Sequence, residues 1–186
     1  EVNHHRTEPS AWLKNELQQS TLADKPCTVI PNSIDTGSKK KKKSSLKADY
    51  HLTGRRIYLA CAGVWTKQKG LLEYQKLSRM LSKDEQLVII GLTDTQKKLF
   101  GDSVLTMGQM PVESLREWYT LADCFVNLTL EDNYPTVNLE ARACGCPVVT
   151  YETGGSPESA GNTGLTAPRG DLAGILQMLR SHDRQT

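Results

Sequence analysis

From residue 56 onward, short apolar runs alternate with segments whose apolar residues recur at helical spacing, and this constrains the chain more than any other feature. Arg56 to Gly63, Gln86 to Gly91, Ser103 to Met107, Cys124 to Leu128 and Cys146 to Tyr151 read as strands, with Thr163 to Ala167 as a short last one. Between them, Leu71, Tyr74, Leu77, Met80 and Leu81 lie at helical spacing behind Gly70, as do Leu115, Trp118, Tyr119 and Ala122 behind Pro111. Leu99 and Phe100 mark a short helix, and Leu172, Ile175 and Leu179 a final one over Gly170 to Arg180. Ser156 and Pro157 suit the N-cap and first position of another. Strands alternating with helices predict the α/β class, with a parallel sheet covered on both faces.

Upstream the pattern thins. Pro9 to Leu13 begins a helix with Ser10 as N-cap, and Cys27 to Pro31 reads as a short strand. Residues 35–46 form a polar loop carrying Lys39 to Lys43. A solvated loop outweighs a phosphate or membrane-surface patch there, and nucleic-acid binding gains little, since no aromatic residues interleave with the charge. The net charge of +2 on 186 residues does not select nucleic acid or membrane as a partner, and no apolar run approaches the roughly 20 residues of a membrane span. Glu1 to Arg6 does not resemble a signal peptide. Of five cysteines, Cys61 and Cys124 sit in strand-like runs, and the close pair Cys144 and Cys146 lacks two further zinc ligands at suitable spacing. The expectation is reduced thiols in a cytoplasmic protein with no metal.

The stretch from Thr129 to Val149 carries the chemistry. Val137, Ala141 and Cys144 share one helix face, and Glu140 lies on it. A carboxylate facing a core needs partners. Asp132 lies eight residues earlier in the turn-forming run Asp132 to Pro135, and Pro135 suits the helix start. Strand, polar loop and helix in that order place both carboxylates near the carboxyl end of a strand, where α/β sheets bind ligands. The helix N-terminus there offers amides and a positive dipole end to an anion.

An acid–base pair of a hydrolase is a weaker reading, since a helix N-terminus opposes an acid role for Glu140. The four histidines lie far in sequence from every candidate loop, and no Gly-x-Gly-x-x-Gly follows the first strand of the series. An ion pair of Glu140 with Arg142 or another base would leave Asp132 unexplained. A non-catalytic nucleotide-binding α/β module stays open as an alternative.

The spacing of Asp132 and Glu140, followed by Ala141, Ala143, Gly145, Pro147, Val148 and Val149, resembles the carboxylate motif of retaining GT-B glycosyltransferases of family 4 (glycosyl transferases group 1). Val29 to Asp35, Gly63 to Gly70 and Leu121 to Asp123 resemble further segments of that family, so the likeness covers about residues 7–180. Four positions depart from it: Asp132 stands where Glu is usual, Ser33 where Gly is usual, and Val64 and Gln68 where the first loop commonly carries Arg. The resemblance implies a Rossmann-like doubly wound parallel sheet forming the C-terminal, donor-binding half of a two-domain enzyme. It divides the chain into a tail of the acceptor domain and crossover (1–35), a lysine-rich loop and lead-in (36–55) and a nucleotide-sugar-binding domain (56–186).

It further implies transfer of a hexosyl group from a nucleotide-sugar in surface polysaccharide or glycolipid biosynthesis. Lys69 would neutralise the leaving diphosphate and Asp132 would hold hydroxyls of the transferred sugar, these two being the catalytic candidates. Glu140 would accept from the ribose. Gly63, Asn133, Tyr134, Pro135, Thr136 and Val137 complete the donor-binding set. No cofactor or metal is required, because a lysine and helix amides take the charge. The acceptor, a saccharide or lipid-linked sugar, would meet an N-terminal domain. The full-length enzyme would be cytoplasmic, peripherally associated with the inner face of the membrane. This chain alone would bind a nucleotide and transfer nothing.

Overall fold

The computed structural model describes residues 5–35 and 45–182; the run Lys39 to Lys43 lies outside them. A small unit comes first: β1 (Arg6–Glu8), α1 (Ala11–Gln18) and β2 (Cys27–Val29), with β1 and β2 paired in parallel. Ser10 caps α1 by accepting from the Leu13 amide at 3.1 Å, as its position predicts. Two more first-turn amides, of Ala11 and Trp12, donate to the Glu158 carboxylate at 2.8 and 2.9 Å. Groups that a helix end leaves unpaired are thus satisfied from the main domain, which ties the small unit to it.

The main domain follows α2 (Leu46–Asp49), a helical turn inside a segment that the sequence reads as polar loop and lead-in. Then come β3 (Arg56–Cys61), α3 (Leu71–Ser78), β4 (Glu85–Ile90), α4 (Asp94–Lys97), β5 (Val104–Thr106) and α5 (Val112–Leu121). The second half holds β6 (Cys124–Asn127), α6 (Thr136–Ala143), β7 (Val148–Tyr151), α7 (Ser156–Ala160), β8 (Leu165–Ala167) and α8 (Leu172–Ser181). The six strands β3 to β8 form one parallel sheet in the order β5-β4-β3-β6-β7-β8. The chain therefore winds outward from β3 to one edge, returns, and winds from β6 to the other. This is the Rossmann order, with its switch point between β3 and β6.

Both faces of the central strands are buried, so these strands read as nearly continuous apolar runs. Tyr58, Ala60, Leu87 and Ile89 pack with α3 and α8 on one side, while Ile57, Leu59, Val88 and Ile90 pack with α5 and α6 on the other. One N-cap differs from expectation: Gly155 caps α7, and Ser156 is its first residue, with a buried hydroxyl that finds no partner among the described residues.

At the sheet's amino end, away from the strand ends that form the cleft described below, Glu85 fastens α8. Arg180 donates to both of its oxygens at 2.8 Å, and Tyr58 and the Ser82 amide add bonds of 2.9 and 2.7 Å. Glu85 is only 8% exposed. The guanidinium first, then these donors, hold its carboxyl down from the usual 4.5 to about 2 despite burial. A depressed carboxyl stabilises the fold above the unfolded value and loses that contribution as pH falls from about 4.5 toward about 2. Arg180 is half in solvent, so its loss is expected to cost about 2 kcal/mol rather than the larger figure for a fully buried pair. Urea unfolding of Arg180→Met at pH 7 and pH 3 checks this: the variant should be weaker at pH 7 and lose less than the parent on acidification. Parallel losses in both proteins would assign the acid sensitivity elsewhere.

Candidate functional site

A cleft of about 210 Å³ opens at the switch point, between the segments that leave β3 and β6. Cys61, Ala62, Gly63, Val64 and Trp65 form one wall, and Asn127, Asp132 and Tyr134 to Val137 the other, with Lys69 and Tyr74 between. Packing sets the first wall. The Trp65 indole donates to the Ile90 carbonyl at 2.9 Å, Gln96 donates to the Trp65 carbonyl at 3.0 Å, and Gln109 donates to the Gly63 carbonyl. Gly91, at φ +94°, admits the backbone of Ala62, whose carbonyl oxygen would lie 2.1 Å from any Cβ there.

The second wall is built on a buried polar layer. Asn127 donates to Asn138 at 3.0 Å, and Asn138 donates to the Ser159 hydroxyl at 2.9 Å. Thr150 donates to the Asn127 carbonyl at 2.8 Å and Thr153 to the Thr129 carbonyl at 2.7 Å. The bonds of Asn138 tie the first turn of α6 to β6 and α7, and the threonine bonds join the ends of β6 and β7. The 129–135 loop also lies against Gly154 and Gly155. Side chains there would meet the carbonyl oxygens of Asp132 and Asn133 at 2.1 and 1.9 Å.

Lys69 and Asp132 form an ion pair across the cleft; their side chains are 36% and 14% exposed. The other Asp132 oxygen accepts from the Tyr134 amide at 3.1 Å, closing the turn. Proline 135 occupies the N-cap of α6, and no side chain caps that helix. A cation, a carboxylate and an uncapped helix start therefore meet in one cleft, groups whose chemistry suits an anion carrying hydroxyl groups.

Of the residues singled out from sequence, Gly63, Lys69, Asp132 and Tyr134 to Val137 line the cleft. Asn133 is exposed, its carbonyl turned toward Gly155. Glu140 lies farther along α6, half-buried, and its Oε2 accepts from the Tyr119 hydroxyl at 3.0 Å. The ion pair weighed for it does not form, since Arg142 donates instead to the Ser159 carbonyl at 3.0 Å. Sequence reasoning missed the Asn127–Asn138 layer and treated Tyr119 as core alone; asparagines at a strand end and on an adjacent helix face were the available signal. Among the described residues no group of three or more His, Cys, Asp or Glu is placed to hold a metal ion. No helix among them is long and apolar enough to cross a membrane.

The strand order and the charged cleft at its switch point define the class: a Rossmann-like α/β domain of the GT-B glycosyltransferase kind. The chain belongs to the glycosyl transferases group 1 family, whose profile matches residues 55–181. It is 25% identical over 194 residues to N-acetyl-alpha-D-glucosaminyl L-malate synthase of Bacillus anthracis, covering 95% of this chain and 50% of that protein. It is 26% identical to the capsular polysaccharide biosynthesis glycosyltransferase CapM of Staphylococcus aureus, covering 91% of this chain and 50% of CapM. Among solved structures, sucrose-phosphate synthase from Thermosynechococcus elongatus matches at TM-score 0.77 and 21% identity, over 95% of this chain and 48% of that one. Anabaena HepE in complex with UDP-glucose matches at TM-score 0.73 and 14% identity, over 94% of this chain and 52% of that one. The chain thus spans about half the length of these relatives.

Proposed function

We propose that this chain is the C-terminal, nucleotide-sugar-binding part of a retaining glycosyltransferase of family 4, one that transfers a hexosyl group in surface polysaccharide or glycolipid assembly. The observation that carries the reading is the meeting of Lys69, Asp132 and the uncapped start of α6 at the switch point. When the bond from the sugar's anomeric carbon to the diphosphate oxygen breaks, negative charge builds on the diphosphate. Lys69 and the first amides of α6 stabilise it there, without a metal. Asp132 accepts from hydroxyls of the sugar, and Glu140 from the ribose. Lys69 is held by Asp132, so donor binding exchanges partners: the lysine turns to phosphate and the carboxylate to the sugar.

The relatives' greater length supports a second, acceptor-side domain, to which residues 1–35 would belong as tail and crossover, with 36–55 as lead-in and 56–186 as the donor domain. The name of CapM supports the polysaccharide context. The full-length enzyme would work in the cytoplasm at the inner face of the membrane, where a lipid-linked or saccharide acceptor is held.

Calorimetric titration with ADP, GDP, CDP, UDP and their 2′-deoxy counterparts tests the reading. The tightest ribonucleotide is expected to bind better than its 2′-deoxy form, because a buried acceptor left without its hydroxyl is penalised. Glu140→Gln should abolish most of that preference, a change of roughly tenfold, while the fold persists. Equal preference in parent and variant would remove Glu140 from the ribose, and binding of none of the eight would overturn the donor reading.

A further inference from the structure

We propose that Tyr119 is a positioning residue for ribose recognition, its hydroxyl holding the Glu140 carboxylate in the orientation that meets the donor. The proposal rests on the reading of Glu140 as ribose acceptor and extends it to Tyr119, which like Glu140 lies behind the residues that line the cleft.

Tyr119 lies on α5 and Glu140 on α6, neighbouring helices on the same side of the sheet. The Tyr119 ring is 1% exposed and stands edge-on to Phe125, with centroids 5.4 Å apart. Its hydroxyl makes two contacts, to Glu140 Oε2 at 3.0 Å and to Cys61 Sγ at 2.9 Å. Cys61 closes β3 and forms part of the cleft wall. A chain of hydrogen bonds therefore runs from the cleft wall through a buried phenol to the carboxylate.

The direction of the chain follows from what each group can do. A carboxylate offers only acceptors, so the phenol proton points at Glu140 and the Cys61 thiol donates to the phenol oxygen. Burial keeps both donors protonated: it raises the tyrosine far above its ordinary range, with Cys61 and Glu140 adding to the effect. It also pushes the Cys61 thiol up to about 12.

A packing role alone does not call for this arrangement. Phenylalanine would fill the same space without burying a hydroxyl that must then find partners. A cation in place of the phenol would satisfy Glu140 completely and compete with an incoming diol. Among the described residues no cation pairs with Glu140. A neutral donor on one oxygen fixes the plane of the carboxylate and leaves acceptor capacity on the other. A half-buried glutamate with three side-chain torsions has several rotamers, and the bond to a rigid buried ring selects one of them.

The experiment compares the ribose-to-2′-deoxyribose affinity ratio, on the tightest of ADP, GDP, CDP and UDP, for the parent, Tyr119→Phe, Phe125→Leu, Glu140→Gln and the double variant Tyr119→Phe/Glu140→Gln. Tyr119→Phe should lower the ratio by roughly threefold or more. Phe125→Leu disturbs the packing of the same ring but keeps its hydroxyl, so it should lower the urea midpoint and leave the ratio unchanged. The double variant should match Glu140→Gln, since the tyrosine acts through the carboxylate. A parent-like ratio in Tyr119→Phe overturns the proposal while the Glu140 reading stands, and so does a loss in Phe125→Leu as large as that in Tyr119→Phe. A parent-like ratio in Glu140→Gln removes the ribose role of Glu140 and this proposal with it.

Discussion

Gly70→Ala is expected to be among the most damaging single substitutions in this chain, lowering stability by about 2–5 kcal/mol. Two costs add. Gly70 sits at φ +72°, where a residue with a Cβ loses roughly 1–2 kcal/mol. The new Cβ would also lie 2.0 Å from the Leu128 carbonyl oxygen, a backbone atom that cannot swing aside. Forcing it away is an overpacking cost of about 1–3 kcal/mol. The site is not incidental to the cleft. The 66–70 loop is bound to the end of β6, with the Leu130 amide donating to the Gln68 carbonyl at 2.7 Å and the Thr129 hydroxyl to the same oxygen at 3.1 Å. Moving Gly70 therefore moves Lys69 relative to Asp132. For a chain of this size the loss corresponds to a fall in Tm of roughly 4–20 °C. Gly63→Ala is the control. Gly63 also lines the cleft, but a Cβ there meets nothing within 4 Å, so stability should stay within about 0.5 kcal/mol. Similar Tm values for the two variants would refute the close-approach argument.

That contrast marks what the sequence conveys and what it does not. The order of elements from β3 to α8 was legible, because both faces of the sheet are covered and its strands are apolar throughout, as in Leu87 to Ile90. Of the three-residue strands, β2, β5 and β8 were legible as well, but β1 was not. β1 is the three residues Arg6–Glu8, all of them polar, and exists through pairing with β2 across α1. Such a strand has no periodicity of its own to read. The α7 cap moved by one residue because Gly155 is pressed against Asn133, a tertiary contact that outweighs the preference of serine for the cap.

The cleft followed the same rule. Asp132 and Lys69 were singled out in separate loops, and they meet because β3 and β6 are neighbours, which only the strand order establishes. Glu140 was recognised as a carboxylate in need of a partner, but the partner is a tyrosine 21 residues earlier rather than a nearby base. Helical spacing assigns Tyr119 to the core, and it is there; periodicity is blind to where its hydroxyl points. The buried layer of Asn127 and Asn138 escaped for a related reason. Polar residues inside a fold are tolerated when they satisfy one another, and that mutual satisfaction is three-dimensional.

Lys69 and Asp132 are expected to act in opposite directions on one ligand, and that opposition is the sharpest test of the partner exchange. Lys69→Ala should weaken a nucleoside diphosphate by at least about tenfold, since a charge-assisted bond contributes roughly 1.5–3 kcal/mol. The bare nucleoside has no phosphate for the lysine to meet and should lose little. Asp132→Asn should do the reverse for the diphosphate. It removes a carboxylate that both repels the phosphate and occupies the lysine, so the diphosphate should bind several-fold tighter, with the charged pair no longer to be broken. The matching nucleotide-sugar should not share that gain, because its hydroxyls lose their ionic acceptor as the phosphate gains its cation. The affinity difference between nucleotide-sugar and nucleoside diphosphate should therefore move against the sugar in Asp132→Asn and change less in Lys69→Ala. Raising the salt should reduce the lysine's effect, because Lys69 is partly exposed and its charge is screened. Calorimetry on the parent, the two single variants and the double variant separates the contributions. If Asp132→Asn weakens the diphosphate as much as Lys69→Ala does, the pair acts as a unit that shapes the loop, and the exchange of partners is wrong.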